Sequence, residues 1–458
     1  MTGDSPRAGA SQGPAGLATR KAAVDLVHAV LAGRHPLDES LAHHTAKGVL
    51  SRLSPRDRAH ARLIVATTLR RLGQIDAALA IFLTKGLPAE RGPLREILRT
   101  GAAQLMFLDA APHAAVSLAV ALAKTDREAR RYDKLVNAVL RRLAEQAPSL
   151  VAAQDAEVLN TPNWLWESWE TAYGLDIARK IAAAHMTEAA LDMTVKADPG
   201  HWARELEGTL LSTGTIRRAV EGRIEDLPGY ADGHWWVQDC AAALPARLLG
   251  DVKAKRVLDM CAAPGGKTAQ LAAAGAEVTA MDLSEARLDR VRANLARLRL
   301  DAGTIQADAA IYSLPGFGAP AFDAVLLDAP CTATGTIRRH PDIPHLKRPD
   351  DVGKLAGLQY ALLSNAVGLV RDGGQIVYCT CSLQPEEGAD IVARVLDIHP
   401  KLRLSPITAA EVSGNAAWIT PEGYLRTFPH HAVDPASPGS PTIGLDGFFA
   451  ARLVRQGA

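Results

Sequence analysis

Apolar residues recur at helical spacing from Thr19 to about Glu145, and beyond that point helical and strand-like stretches alternate. The stretch Lys21–Leu31 places Val24, Val27, Val30 and Leu31 on one face. In SPRDRAHARLIVATTLRRL, Ser54 stands where an N-cap belongs and Pro55 at the first helical position. PLREILRTGAAQLMFLD, HAAVSLAVALAK and KLVNAVLRRLAE repeat the pattern, joined by short breaks that contain Pro or Gly. These segments predict a compact all-α domain over residues 19–146. Composition changes from Ala147 onward. Asn160–Tyr173 gathers Trp164, Trp166 and Trp169 at a spacing that suits one buried helix face. Leu191–Ala197 is strand-like, and alternation up to His234 predicts a small α+β subdomain over residues 147–236. WWVQDCAAALPARLL begins as a strand and continues as a helix, with Cys240 in a structural position.

From Arg256 the alternation is regular. VLDM is a strand, CAAPGGK a tight turn, and a helix follows through Leu271. Glu277–Met281 is a second strand ending in Asp282, and Ser284–Leu300 an amphipathic helix. Gly303–Gln306 is a third strand ending near Asp308. Phe322–Leu327 is the fourth and Gln375–Cys379 the fifth, after the turn Asp372-Gly373-Gly374. GFFAARLVR reads as a closing edge strand. Strand–helix alternation of this kind means a parallel sheet with right-handed crossovers. The expected architecture is multidomain: a lead-in over residues 1–18, the all-α domain, the α+β subdomain, and a Rossmann-like α/β domain over residues 237–458.

Length supports this division, since 458 residues exceed one ordinary core. With 48% hydrophobic and 22% charged residues, the composition is that of a globular protein in water. No apolar run reaches spanning length, and the N-terminus, rich in Gly, Ala, Ser and Pro, lacks an apolar secretory core and reads as disordered. Five cysteines (Cys240, Cys261, Cys331, Cys379, Cys381) are odd in number and not spaced as zinc pairs. A reducing, cytoplasmic setting without membrane or metal is expected. Formal net charge is +1, yet residues 17–147 carry 21 Lys and Arg against 12 Asp and Glu. That surplus suits an anionic polymer as partner.

Candidate chemistry lies at the strand ends, where open α/β sheets bind ligands. Gly265-Gly266-Lys267-Thr268 approaches a phosphate loop, but the glycine required five residues before Gly266 is replaced by Cys261. A G-x-G-x-x-G fingerprint is absent as well. What remains is Asp259, a small-residue turn from Cys261 through Ala262, Ala263, Pro264, Gly265 and Gly266 to Lys267, then Asp282 and Asp308 at the next strand ends. Asp282 is placed for ribose hydroxyls, Asp308 for an adenine amino group, and the turn for a ligand carboxylate at a helix N-terminus. S-adenosylmethionine meets these demands without a phosphate. Pro330 ends the fourth strand after Asp328; Cys331 follows, and the same excursion carries Arg338, Arg339 and His340 as candidate RNA contacts. Cys381 lies just past strand five. Two thiols and an acid at neighbouring strand ends suit methylation of cytosine carbon 5, which is a poor nucleophile until a thiolate adds at carbon 6.

Two resemblances rest on these residues. RDRAHARLIVATTLRR, ILRTGAAQLMFLDAAPHAAVSLAVALAK and LVNAVLRRL resemble the RNA-binding helical domain of the antitermination factor NusB. CAAPGGKT, LLDAPCTATG and YCTCSLQPEEG resemble the NOL1/NOP2/Sun family of RNA cytosine-5 methyltransferases, and GTIRRHPDI with the helical N-terminus points to its Sun/RsmB type, which acts on 16S ribosomal RNA. The resemblance implies Cys381 as nucleophile and Cys331 as the thiol that assists product release. It also implies Cys261–Lys267, Asp282, Asp308 and Asp328 around S-adenosyl-L-methionine, with Asp328 touching the cytosine. A monomer acting on naked RNA or a partly assembled small subunit is expected. Thr332 departs from the family's usual Ser and keeps the hydroxyl, and the loop His430–Ile443 is longer than usual. The competing readings are an RNA-binding assembly factor with a non-catalytic methyltransferase fold, and a P-loop ATPase. Intact Cys331, Cys381, Asp328 and Gly265-Gly266 weigh against the first.

Overall fold

The computed structural model describes residues 14–89, 91–219, 222–314, 322–433 and 444–457. Most of the expected lead-in and residues 434–443 of the expected long loop lie outside them. The chain divides into two compact units: one up to Asn163 together with His340–Leu346, the other Trp164–Arg339 together with the chain from Lys347.

The first unit is helical: α1 (Leu17–Leu31), α2 (Leu37–Lys47), α3 (Pro55–Arg70), α4 (Leu72–Phe82), α5 (Leu94–Phe107), α6 (Pro112–Thr125), α7 (Asp133–Ala153) and α8 (Ala156–Asn160). Ser54 caps α3 as expected, its side chain accepting from the Asp57 N–H. Apolar faces of α4, α5, α6 and α7 meet in one cluster, and those of α1 and α3 in a second. The boundary expected at residue 146 falls inside α7, which runs on to Ala153. α8 then lies against α4, where Gln74 N–H donates to Asn160 Oδ1 at 3.1 Å. Only glycine permits this approach, since a Cβ on Gly73 would fall 1.6 Å from the Leu159 carbonyl oxygen. The chain returns to this unit at His340–Leu346. There Asp342 Oδ2 accepts from the Leu37 N–H at 2.9 Å, a His345 ring nitrogen meets the Leu69 carbonyl at 2.9 Å, and Leu346 packs on the cluster of α1 and α3.

The second unit begins with α9 (Asn163–Tyr173) from Trp164 onward, and α10 (Leu175–His185). Of the three tryptophans expected in the core only Trp169 is buried; Trp164 and Trp166 stay partly exposed, so the packed stripe is narrower than their clustering suggested. A small antiparallel sheet follows in the order β2-β3-β1-β4, from β1 (Leu191–Val195), β2 (Thr209–Leu210), β3 (Ile216–Arg218) and β4 (Trp235–Val237), with α11 (Pro199–Glu205) between β1 and β2.

The main sheet comprises β5 (Arg256–Met260), β6 (Glu277–Asp282), β7 (Gly303–Gln306), β8 (Phe322–Asp328), β9 (Val370–Thr380), β10 (Leu402–Leu404), β11 (Leu425–Arg426) and β12 (Phe449–Arg455). Its order is β10-β12-β9-β8-β5-β6-β7, with β11 also on β12. Strands β5 to β9 are parallel neighbours, and β12 is antiparallel to β9. β12 is therefore not the edge expected of it. The three-residue β10 pairs along its far side, too short to show in an alternation pattern. Helices α12 (Cys240–Arg247), α13 (Gly266–Ala273), α14 (Glu285–Leu298), α15 (Pro349–Leu369) and α16 (Ala389–Ile398) complete the unit. Leu363 and Ala366 of α15 and Val392 and Val395 of α16 pack with Val325 and Tyr378 on one sheet face; Ala241 and Leu244 of α12 and Leu271 of α13 pack with Leu326 and Val377 on the other. Strand order reverses between β5 and β8, which makes their carboxyl ends the switch point where a ligand crevice forms.

Candidate active site

β8 and β9 run parallel in a register that sets Asp328 opposite Cys379, and Ala329 N–H donates to the Cys379 carbonyl at 3.0 Å. The two loops therefore leave the sheet side by side. Pro330 turns the first, Thr380 ends the second strand, and the Sγ atoms of Cys331 and Cys381 come to 3.5 Å. Gly335 N–H donates to the Cys381 carbonyl at 2.9 Å, and a Cβ on Gly335 would sit 2.0 Å from the Gly447 carbonyl oxygen, so backbone lies on both sides of this loop. The hydrogen bond with Cys331, then burial, pushes the Cys381 thiol well above its usual range. Cys379, read from the sequence as a core residue, is fully buried, but its Sγ also lies 3.5 Å from Asp328 Oδ1.

The small-residue turn joins β5 to α13. Cys261 holds φ +60°, Ala262 N–H donates to the Met281 carbonyl at 2.9 Å, and Ala263 N–H donates to Asp282 Oδ2 at 3.3 Å. Burial, then the nearby Asp282, pushes the Cys261 thiol up to about 12. The Pro264 carbonyl accepts from Asn294 at 2.9 Å. Gly265 precedes α13 at φ +98°, and a Cβ there would meet Val291 at 3.2 Å, so both conformation and space ask for glycine before Gly266 opens the helix. Lys267 is engaged within the protein. Its Nζ lies 2.6 Å from Asp328 Oδ2 and 5.1 Å from the centre of the Phe448 ring. Burial works against its charge, but Asp328 and other anionic neighbours hold the ammonium above its usual range.

Asp259 and Asp282 flank this turn and are both buried. Asp282 accepts from the Ser284 N–H at 3.1 Å, and the Arg287 guanidinium stands 3.4 Å from its Oδ1. Asp259 Oδ2 accepts from the Thr268 hydroxyl at 2.6 Å, whereas its Oδ1 has no partner. Burial raises this carboxyl to about 7, the Thr268 hydrogen bond opposing the rise. A fully buried carboxylate oxygen without a donor asks for a cationic or donor group of a ligand. Lys267 is already matched by Asp328, so the cradle is acidic on balance and suits a ligand that carries positive charge. Asp308 follows β7, its Oδ1 accepting from the Ala310 N–H at 2.9 Å. Among the described residues, no group of three or more His, Cys, Asp and Glu could hold a metal, and no helix is long and apolar enough to cross a membrane.

The basic excursion is engaged differently from the expectation of RNA contacts. Arg339 pairs with Asp239 at 2.5 Å and Asp446 at 3.2 Å and donates to the Ala190 carbonyl at 3.0 Å. Arg338 is buried. His340 belongs to the helical unit, where its Nδ1 stands 3.4 Å from Asp38. These contacts are internal to the protein, in a loop already buried at Thr332, Thr334 and Thr336. One buried residue in the YCTCSLQPEEG block escaped the sequence reading. Glu387 reaches the residues that follow both cysteines. Its only signal was a carboxylate directly before the glycine that precedes α16.

Comparison with known proteins places this geometry. A family model described as 16S rRNA methyltransferase RsmB/F matches residues 246–454, and the NusB family model matches residues 17–145. Ribosomal RNA small subunit methyltransferase B of Vibrio cholerae is 32% identical, covering 95% of this chain and 97% of its own length. The protein of the same name from Pseudomonas putida is 35% identical, covering 96% and 99%. The crystal structure of PH0851 superposes with a TM-score of 0.72 at 22% identity, covering 95% of this chain and 99% of that one, which shows a shared fold.

Proposed function

The chain belongs to the 16S rRNA methyltransferase RsmB/F family, and from that premise we propose that it methylates carbon 5 of a cytosine in 16S ribosomal RNA through a covalent thiolate adduct. The observation that carries this reading is the pair of thiols 3.5 Å apart beside the Lys267–Asp328 ion pair. S-adenosylmethionine is the methyl donor and supplies an electrophilic methyl group. When bound, it would be held by Asp259 Oδ1 at its ammonium, by the Cys261–Lys267 turn at its carboxylate, by Asp282 at its ribose and by Asp308 at its adenine.

Cys381 passes its proton to the Asp328 carboxylate and adds to carbon 6, forming an S–C6 bond and leaving carbon 5 as the nucleophilic end of an enamine. Asp328, beside the Lys267 ammonium, then donates that proton to ring N3, so the negative charge that the sulfur pushes onto the ring is neutralised there. Once carbon 5 carries the methyl group, N3 returns its proton to Asp328, the remaining carbon 5 proton passes to solvent, and the S–C6 bond breaks with its electrons to the Cys381 sulfur as the ring double bond is restored. Cys331 assists this elimination. The basic surplus of the helical region draws the RNA.

The test is incubation of 16S ribosomal RNA with the protein and S-adenosylmethionine, followed by nucleoside mass spectrometry. 5-Methylcytidine is the expected product. Methyl on a ribose, on a ring nitrogen or on another base would sink the reading.

A further inference from the structure

We propose that Glu387 is the positioning residue that sets the spacing of the two thiols; this rests on the roles just given to Cys331 and Cys381. Its side chain is fully buried, and each carboxylate oxygen accepts from two donors. Oε1 accepts from Thr332 N–H at 2.9 Å and Gln359 Nε2 at 3.0 Å. Oε2 accepts from the Ser382 hydroxyl at 2.6 Å and from the Thr332 hydroxyl. Thr332 directly follows Cys331, and Ser382 directly follows Cys381. One carboxylate therefore holds the residue after each thiol, across loops about fifty positions apart.

The arrangement is stiff for a physical reason. A carboxylate offers about four lone-pair sites, and here four donors fill them. None of the four is a cation, so each donor lost leaves a buried charge less compensated. Movement of either loop must break these bonds. Glu387 is itself fixed at its backbone, where its carbonyl accepts from the Tyr378 hydroxyl at 2.7 Å and from Thr380 at 3.3 Å. The hydroxyl that Thr332 shares with serine is the part the clamp uses. The carboxylate's bonds go to the neighbours of the reacting sulfurs, which makes Glu387 a positioning residue.

Two readouts on the full chain test this. Diamide oxidises two neighbouring thiols to a disulfide and is itself reduced to the hydrazine, so the rate of Cys331–Cys381 crosslinking, mapped by peptide mass spectrometry, reports their spacing without any methyl transfer. Steady-state methylation reports kcat and KM. Glu387→Ala is expected to slow crosslinking at least tenfold and lower kcat at least tenfold. RNA KM and S-adenosylmethionine Kd should stay within twofold. Glu387→Gln, whose amide still accepts from two donors, should fall between, and Thr332→Val should shift both readouts in the same direction. If Glu387→Ala fails to fold, the other two variants decide. Crosslinking at the wild-type rate in the variants overturns the proposal, and so does a kcat loss matched by an equal loss of cofactor affinity. Methylation that survives Cys381→Ala would sink the assigned thiol roles but leave the crosslinking result standing.

Discussion

Cys331 and Cys381 stand with their sulfurs 3.5 Å apart although fifty residues separate them. The parallel register of β8 and β9 brings the strand ends together, and the Ala329 and Gly335 amides tie the first loop to the carbonyls of Cys379 and Cys381. Two thiols this close on one substrate ring must have different tasks, because only one sulfur can bond carbon 6.

Replacing each thiol should therefore give different outcomes. Cys381→Ala is expected to abolish turnover and form no covalent species. Cys331→Ala should permit attack and methyl transfer but stall elimination, leaving protein bonded to RNA. Denaturing electrophoresis with substrate RNA and S-adenosylmethionine separates them, since a retarded, protease-sensitive band should appear only with Cys331→Ala. The band appearing with Cys381→Ala instead would reverse the roles.

Asp259 should make cofactor binding depend on pH. Its carboxyl titrates near 7 in the folded protein, above the ordinary carboxylate range. A cation held at Oδ1 favours the ionised form, so affinity for S-adenosylmethionine should rise from pH 5 to 7, about tenfold per unit at the steepest. Stability has the opposite sign. The contribution of this group is full below the ordinary carboxylate pKa and is lost as pH rises to about 7. Asp259→Asn should flatten both curves in calorimetric titration and urea unfolding; an unchanged binding slope would remove the ammonium from this oxygen.

Asp282→Ala should weaken S-adenosylmethionine binding by roughly 1–3 kcal/mol, the scale of a buried charge-assisted hydrogen bond. The same change frees the Ala263 and Ser284 amides, so the turn itself should loosen. Unchanged affinity in titration would show that the ribose lies elsewhere.

Asp342→Ala should destabilise the helical unit, although the residue lies 305 positions from its partner. Loss of the buried bond to the Leu37 amide is expected to cost about 1–3 kcal/mol. Hydrogen exchange at Leu37 reads this directly, and protection equal to wild type would make the contact dispensable. By the same logic, cutting the chain at residue 145 removes the helices that receive His340–Leu346, and Leu346 loses its cluster.

The sequence by itself determined the helical N-terminal region, the succession of parallel strands β5–β9 along the chain, and the acids and cysteines at their ends. Each is a local property: a period of 3.6 or 2, a proline that stops a ladder, a glycine turn with its flanking charges. The terminal strand was legible as a strand but not as an interior one, because β10 has only three residues. Tertiary structure alone decided which charges meet. Folding brings Asp239 and Asp446 to Arg339 from positions 100 and 107 residues away. Glu387 went unread in the sequence because Thr332 and Ser382 meet it only in the fold. Periodicity records which face of an element is buried; it does not record which distant donor will share that burial.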